Sequence, residues 1–179
     1  MKIENLNDLF LHTLQDMYFA ENQVVKALPK MVKAADSADL AKALDKHLTE
    51  TKEQVLRLES VFGLLDEKPK ATKCPAIEGI LKEAEELMAE IKDPDTRDAA
   101  MIAAAQAVEH YEITRYGTLV SWAKLLGLKD AADILSKTLK EEYGAEKPGS
   151  MWLRMIAAGG GGGLTFEQPE VNIMRGAYY

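Results

Sequence analysis

The segment AQAVEHYEITRYG, residues 105–117, places two carboxylates where an amphipathic helix should be apolar. Glu109 and Glu112 are three residues apart, so a helix presents both on one face, in the stripe that also holds Tyr116. Burying one bare carboxylate costs several kcal/mol or more. Carboxylate oxygens are hard ligands that suit iron and manganese. The spacing therefore predicts a buried metal site on this helix or, without metal, carboxyl groups that share protons.

Three further helical patterns carry a carboxylate close to their apolar stripe. Glu21 lies four residues after Met17 in the first, and Glu50 borders the stripe of the second. Glu142 lies seven residues after Leu135 in the last. Four or five buried carboxylates repel one another, and a pair of bound metal ions would offset that repulsion. The coincidence across four helices predicts two metal ions, iron or manganese, in the middle of a helical bundle.

The side chains next to these carboxylates have expected roles of their own. His47, three residues before Glu50, is the only well-placed imidazole and is counted among the candidate ligands. Gln54 is expected to support the site by hydrogen bonding. Tyr18 and Tyr111 are expected to be core residues with bonded hydroxyls beside the site. His110 follows Glu109 directly, so it points sideways and is expected to support the site or an interface.

Five helical segments must position these residues. The predicted helices cover residues from 5 or 7 to 34, 38 to 64, 75 to 92, 94 to 126 and 129 to 146. Pro29 lies inside the first pattern and is expected to kink or divide that helix. Four long helices with a short one between the second and third predict an all-α four-helix bundle with a crossover. Residues 1–147 form this bundle, and a Gly-rich, irregular C-terminal extension follows over residues 148–179.

Bulk composition excludes several classes of protein. The chain has 179 residues, 47% of them hydrophobic, which is enough for one domain with a sizeable core. The net charge of -7 and the lack of a basic cluster argue against nucleic acid as a partner. No apolar run approaches the ~20 residues of a membrane span. The single cysteine excludes an intrachain disulfide, and with no signal peptide apparent we expect a cytoplasmic protein without a membrane partner.

Four segments carry a family likeness: LHTLQDMYFAENQVVKALPKM, HLTETKEQVLRLE, KCPAIEGILKEA and DAAMIAAAQAVEHYEITRYGTL. Together they resemble the bacterial YciE/YciF stress-protein family, a branch of the ferritin-like superfamily. The resemblance implies a ferritin-like four-helix bundle, a homodimer and a rubrerythrin-like dinuclear metal centre. Matched position by position, the acidic residues of the family fall on Glu21, Glu50, Glu109, Glu112, Glu142 and Glu146.

The chain departs from the ferritin-like ligand pattern Glu-x-x-His on two helices. Glu50 is followed by Glu53, and Glu142 by Ala145, so the site is rich in carboxylates. The long final helix of the family is interrupted here by Pro148, which makes the role of Glu146 the least secure. These departures leave the identity of the metal open.

The chemistry expected of such a centre is oxidation of Fe(II) or consumption of peroxide or O₂, because two neighbouring metal ions can supply two electrons together. Glu50 and Glu142 are the candidates for bridging ligands, with Glu21 and one of Glu109 and Glu112 as terminal ligands. Two alternatives stay open. One is a binder that holds metal without turnover, and the other is a metal-free structural dimer.

Overall fold

A computed structural model describes residues 2–145, which form five α-helices and no strand. The helices are α1 Leu6–Ala34, α2 Ala38–Leu64, α3 Pro75–Glu90, α4 Pro94–Leu125 and α5 Lys129–Ala145. The all-α prediction is confirmed, and the predicted ends differ from these by no more than about two residues wherever both can be compared. Glu146 and the extension 148–179 lie outside the described residues.

Local sequence explains where the helices begin and end. The side chains of Asn5, Ser37 and Asp93 each accept a hydrogen bond from the backbone N–H three residues later, which satisfies a free donor of the first turn. Gly127 has φ +73°, the left-handed conformation that ends α4 at little cost for glycine. α1 continues through Pro29 as one helix, so of the two expected outcomes, a kink or a division, the division does not occur.

The four long helices form a closed ring. α1 packs on α2, α2 on α5, α5 on α4 and α4 on α1, while α3 packs outside the ring against α1 and α4. Contacts are most extensive within the hairpins α1–α2 and α4–α5. This arrangement confirms the four-helix bundle with an additional short helix.

Helix directions explain the crossover. Asp98, near the start of α4, bonds to the backbone of Asp36 and Ser37 just beyond the end of α1. Tyr116, far along α4, instead bonds to Glu21 in the middle of α1. α1 and α4 therefore run antiparallel, which makes α2 and α4 parallel. The segment containing α3 carries the chain back along the bundle between them.

The core consists of apolar side chains from all four long helices. Its largest fully buried apolar members include Phe10, Leu14, Met17, Leu44, Leu58, Phe62, Met101, Ile102, Leu119 and Leu135. Each contributes about 1.5–3 kcal/mol by leaving water. Within residues 2–145, no helix is long and apolar enough to cross a bilayer. The scaffold thus holds its helices rigidly around whatever polar groups they share.

Candidate functional site

A group of polar side chains is buried in the middle of this apolar core. It comprises Glu21 of α1, Gln54 of α2, Glu109 and Glu112 of α4, and Glu142 of α5, and we call it the carboxylate cluster. None of the five residues is more than 4% exposed. Every helix of the ring contributes to the cluster, so the fold brings together residues that are far apart in the chain.

Several oxygens of the cluster have no hydrogen-bond donor. Both carboxylate oxygens of Glu112 lack a partner, as do Oε2 of Glu21 and Oε1 of Gln54, among residues 2–145. Glu21 and Glu142 each accept a hydrogen bond from a neutral side chain. Tyr116 donates to Glu21 Oε1 at 2.6 Å, and Gln54 Nε2 donates to Glu142 Oε1. Buried polar atoms are nearly always partnered, so these orphaned oxygens indicate a missing proton or cation.

Burial and mutual repulsion raise the pKa values of three carboxyls of the cluster, those of Glu21, Glu112 and Glu142. The pKa of Glu112 is raised well above its ordinary value by burial, then by the charges of Glu21 and Glu142. Burial raises the pKa of Glu21 to about 8, against the lowering effect of the Tyr116 hydroxyl. Burial also raises the pKa of Glu142 to about 7. A proton on Glu112 can be shared with Glu142, so without metal the cluster stores protons at neutral pH.

Tyr116 belongs to this site, although its sequence pattern predicts only a core residue. Its side chain is fully buried, and burial followed by the charge of Glu21 raises the pKa of its hydroxyl well above the ordinary value. The hydroxyl therefore stays protonated and serves as a donor. A spacing of four residues from Glu112 was the available signal, because such a spacing places both on one helix face.

Glu50 lies at the edge of the buried face of α2, where its pattern predicts it, and is partly exposed rather than buried with the cluster. Its side chain is 41% exposed, and its Oε1 lies 2.8 Å from Lys46 Nζ. The buried face of α2 instead runs through His47, Thr51, Gln54 and Leu58, leaving Glu50 at its edge. Gln54 is therefore the α2 side chain that contacts Glu142. Glu50 remains close enough for its charge to raise the pKa of Glu142, and its role as a bridging ligand stays a prediction.

His47 lies beside the cluster on its α2 side. It is 7% exposed, and its Nδ1 is 3.8 Å from Glu109 Oε1. Burial lowers the pKa of His47 to about 4, so the ring is neutral at pH 7. A neutral imidazole is the form that ligates metal ions.

Tyr111 lies in a second polar group, between α1, α4 and the start of α3. Its hydroxyl donates to Asp16 Oδ2 at 2.8 Å and lies 3.0 Å from Cys74 Sγ. The guanidinium of Arg115 stacks 5.3 Å from the centre of the Tyr111 ring. Tyr111 thus has the hydrogen-bonded hydroxyl that was expected, but its bond is to Asp16 rather than to a member of the carboxylate cluster.

Tyr18 and His110 also bond outside the cluster. The Tyr18 hydroxyl donates to Glu59 Oε1 at 2.8 Å, and the ring packs edge-on against Phe62 at 5.7 Å. His110 is exposed, with Nδ1 2.8 Å from the carbonyl oxygen of Gln106. Their predicted supporting roles at the site remain predictions.

The side chains of the cluster are of the types that bind metal ions, but they are not arranged around a common point. Within residues 2–145, Glu21 and Glu112 have unpartnered carboxylate oxygens, and Glu109, Glu142 and a neutral imidazole lie beside them; such groups are the donors that iron and manganese take. No group of three or more His, Cys, Asp or Glu side chains in residues 2–145 is already arranged to hold a metal ion. Metal binding therefore requires rotation of these side chains about the positions that the helices fix.

Comparison with known proteins links the whole bundle to one family. The family described as domain of unknown function (DUF892) matches residues 5–159. Protein YciF of Escherichia coli (strain K12) is 43% identical over 143 residues, which are 79% of this chain and 86% of YciF.

Two solved structures share the fold. YcfI from Rhodopseudomonas palustris, for which a structural role has been suggested, is 51% identical with a TM-score of 0.79, covering 80% of this chain and 92% of YcfI. The crystal structure of the Escherichia coli stress protein YciF is 39% identical with a TM-score of 0.78, covering 88% of this chain and 96% of that one. The helical bundle is therefore shared with YciF-like proteins.

Proposed function

The chain belongs to the DUF892 family of YciF-like stress proteins, and from this membership we propose that it binds two iron or manganese ions in the carboxylate cluster. With them it oxidises Fe(II) or consumes peroxide or O₂. The observation that carries the proposal is Glu112, a fully buried carboxyl whose two oxygens accept no hydrogen bond within residues 2–145. A buried acid that accepts no hydrogen bond destabilises the fold. Such groups are common at functional sites, where a ligand supplies the missing contacts.

The residues of the chain divide this work between them. Glu21, Glu109, Glu112 and Glu142 hold the metal ions, with His47 as a neutral nitrogen donor and Glu50 at the edge. Two neighbouring metal ions, if these residues held them, would supply the two electrons that reduction of a small oxidant requires.

Two neutral side chains orient the carboxylates, and apolar ones keep them dry. Tyr116 fixes the orientation of Glu21, and the Gln54 amide fixes that of Glu142. Met17 and Leu135, 0% and 1% exposed, exclude bulk water from the core around the cluster.

A metal-free structural role is the second candidate. It is favoured by the absence, within residues 2–145, of a group already arranged to hold a metal ion. It also agrees with the structural role suggested for the Rhodopseudomonas palustris relative. In that case the carboxyls pack as neutral, proton-sharing groups, as their raised pKa values allow.

Metal content separates the two candidates. The full chain is loaded anaerobically with Fe(II) or Mn(II), desalted and analysed for bound metal beside a Glu112→Gln, Glu142→Gln double variant. We expect about two metal ions per chain in the wild type and their loss in the double variant. Glu53→Gln, on the exposed face of α2, is the matched control and should bind as the wild type does. A wild type without bound metal overturns the proposal and leaves the structural role.

The setting of the protein is part of the same proposal. We place it in the cytoplasm as a homodimer, with a small oxidant rather than nucleic acid or membrane as its partner. The acidic charge of -7 supports the exclusion of nucleic acid. Light scattering on the purified chain tests the dimer, for which a mass near 40 kDa is expected from the 19.8 kDa chain.

A further inference from the structure

Two cavities lie one behind the other on the side of the bundle that α3 covers. The outer one is a surface groove of about 400 Å³ between α1 and α3. The inner one lies deeper, between α1, α2, α3 and α4. Four residues line both: Ala27 and Met31 of α1, and Leu81 and Ala84 of α3. These four side chains therefore lie between the inner cavity and the groove.

The inner cavity is apolar and very small. Of its ten lining residues nine are apolar, and the exception is His47. It offers about 10 Å³ for the centre of a water-sized molecule, which is room for about one. A cavity with a single polar neighbour holds water poorly, because a buried water needs two to four partners. The space therefore suits a small apolar molecule.

His47 connects this cavity to the carboxylate cluster. Its ring lines the cavity, and its Nδ1 lies 3.8 Å from Glu109 Oε1. The charge of Glu109 in turn raises the pKa of Glu112 at the centre of the cluster. Groove, inner cavity, His47 and cluster thus follow one another from the surface to the middle of the bundle.

We propose that the inner cavity is the passage and waiting site for molecular oxygen on its way to the carboxylate cluster. This inference rests on the proposed function and narrows it, because it makes O₂ rather than peroxide the oxidant. O₂ is apolar and gains by leaving water for an apolar space. Peroxide carries two hydroxyl groups. In a cavity whose one polar lining residue is His47, at least one hydroxyl stays without a hydrogen-bond partner, at a large desolvation cost.

Oxygen itself is the probe for the first test, made on the metal-free full chain. Dissolved O₂ is paramagnetic and speeds the relaxation of nearby methyl protons. Under oxygen pressure we expect the Val24 and Val108 methyls, which line the inner cavity, to relax several-fold faster than the exposed methyls of Leu56. Equal or smaller effects at Val24 and Val108 overturn the proposal, and no variant is needed to see this.

A filled cavity supplies the second test. Ala84→Leu places a larger side chain in the shared wall, and Ala89→Leu on the exposed side of the same helix is the matched control. In the metal-loaded protein we expect Ala84→Leu to slow O₂ consumption several-fold with metal content and peroxide consumption unchanged, and Ala89→Leu to change nothing. If Ala84→Leu slows the consumption of O₂ and of peroxide equally, or slows neither, the proposal that O₂ passes through the inner cavity is wrong.

The two proposals fail in different ways. If the wild type binds no metal, the proposed function fails, while the relaxation test still decides whether O₂ occupies the cavity. If metal is bound and O₂ is absent from the cavity, the proposed function stands and the passage is wrong.

Discussion

Two buried carboxylates on α4 are treated by the fold in opposite ways. Asp98 is 1% exposed, and its two oxygens accept hydrogen bonds from the backbone N–H groups of Asp36 and Ser37, at 3.0 and 2.8 Å. Glu112 is 0% exposed, and neither of its oxygens accepts a hydrogen bond from any residue of the described range 2–145. Asp98 therefore has a structural role, because its hydrogen bonds hold the loop between α1 and α2 against α4. No backbone N–H within residues 2–145 donates to Glu112, as is expected of a carboxyl at a functional site rather than a structural one.

The largest test of this contrast is the response of the metal-free protein to pH. The folded-state pKa values of Glu21 and Glu142, about 8 and about 7, lie above the ordinary value of 4.5. The stability that these protonated groups contribute is fully present below about pH 4.5 and is lost as pH rises through 7 to 8. From pH 5 to pH 8 we expect the free energy of unfolding to fall by about 4 kcal/mol, measured by urea denaturation.

The Glu21→Gln variant isolates that effect. Its amide cannot lose a proton, so the decline between pH 5 and pH 8 should become shallower. His47 acts in the opposite direction, since its lowered pKa of about 4 removes stability as pH falls from 6.5. A wild type whose stability rises over pH 5 to 8 would contradict the account of a proton-storing cluster.

The next largest effect is expected from the structural carboxylate. Asp98→Ala removes two charge-assisted hydrogen bonds and should lower the free energy of unfolding by about 3 kcal/mol at any pH near neutrality. Metal content per folded chain should stay that of the wild type. Denaturation and elemental analysis on the same sample measure both. A loss of metal without a loss of stability would reverse the roles assigned to the two carboxylates.

The smallest effect is the most diagnostic. Glu112→Gln replaces a buried acid, raised in pKa by burial and by Glu21, with a neutral group of the same shape. In the metal-free protein we expect a gain of at most about 1 kcal/mol at pH 8, because the amide cannot ionise beside Glu21 and Glu142, whereas Glu112 is already largely neutral. Metal binding should weaken at the same time. If the variant is less stable than the wild type without metal, Glu112 is structural after all.

Sequence reasoning predicts the helices of this protein well because their signals are local. Asn5, Ser37 and Asp93 mark helix starts by residue type alone, and Gly127 marks an end. The positions of Glu109 and Glu112 follow from helical periodicity in the same way. Such features depend on a few neighbouring residues, so one sequence suffices to find them.

The parts that escaped prediction depend on partners far along the chain. The expected hydrogen bond of Gln54 is present, but only the packing of α5 decides that its partner is Glu142. Asp98 finds its partners 61 and 62 positions earlier, and nothing in its own neighbourhood announces them. The sequence predicts Tyr116 as a core residue but not the partner of its hydroxyl, because that partner, Glu21, lies on another helix.

The carboxylate cluster also lies between the two halves of the folding chain. Each hairpin, α1–α2 and α4–α5, is closed by a loop of a few residues, so it can form early and locally. The bonds from Tyr116 to Glu21 and from Gln54 to Glu142 join the hairpins across separations of 95 and 88 residues, and such closures come late. The site thus exists only once the halves have docked. A brief parting of the docked hairpins exposes its carboxylates to hydrated ions while each hairpin keeps its own packing.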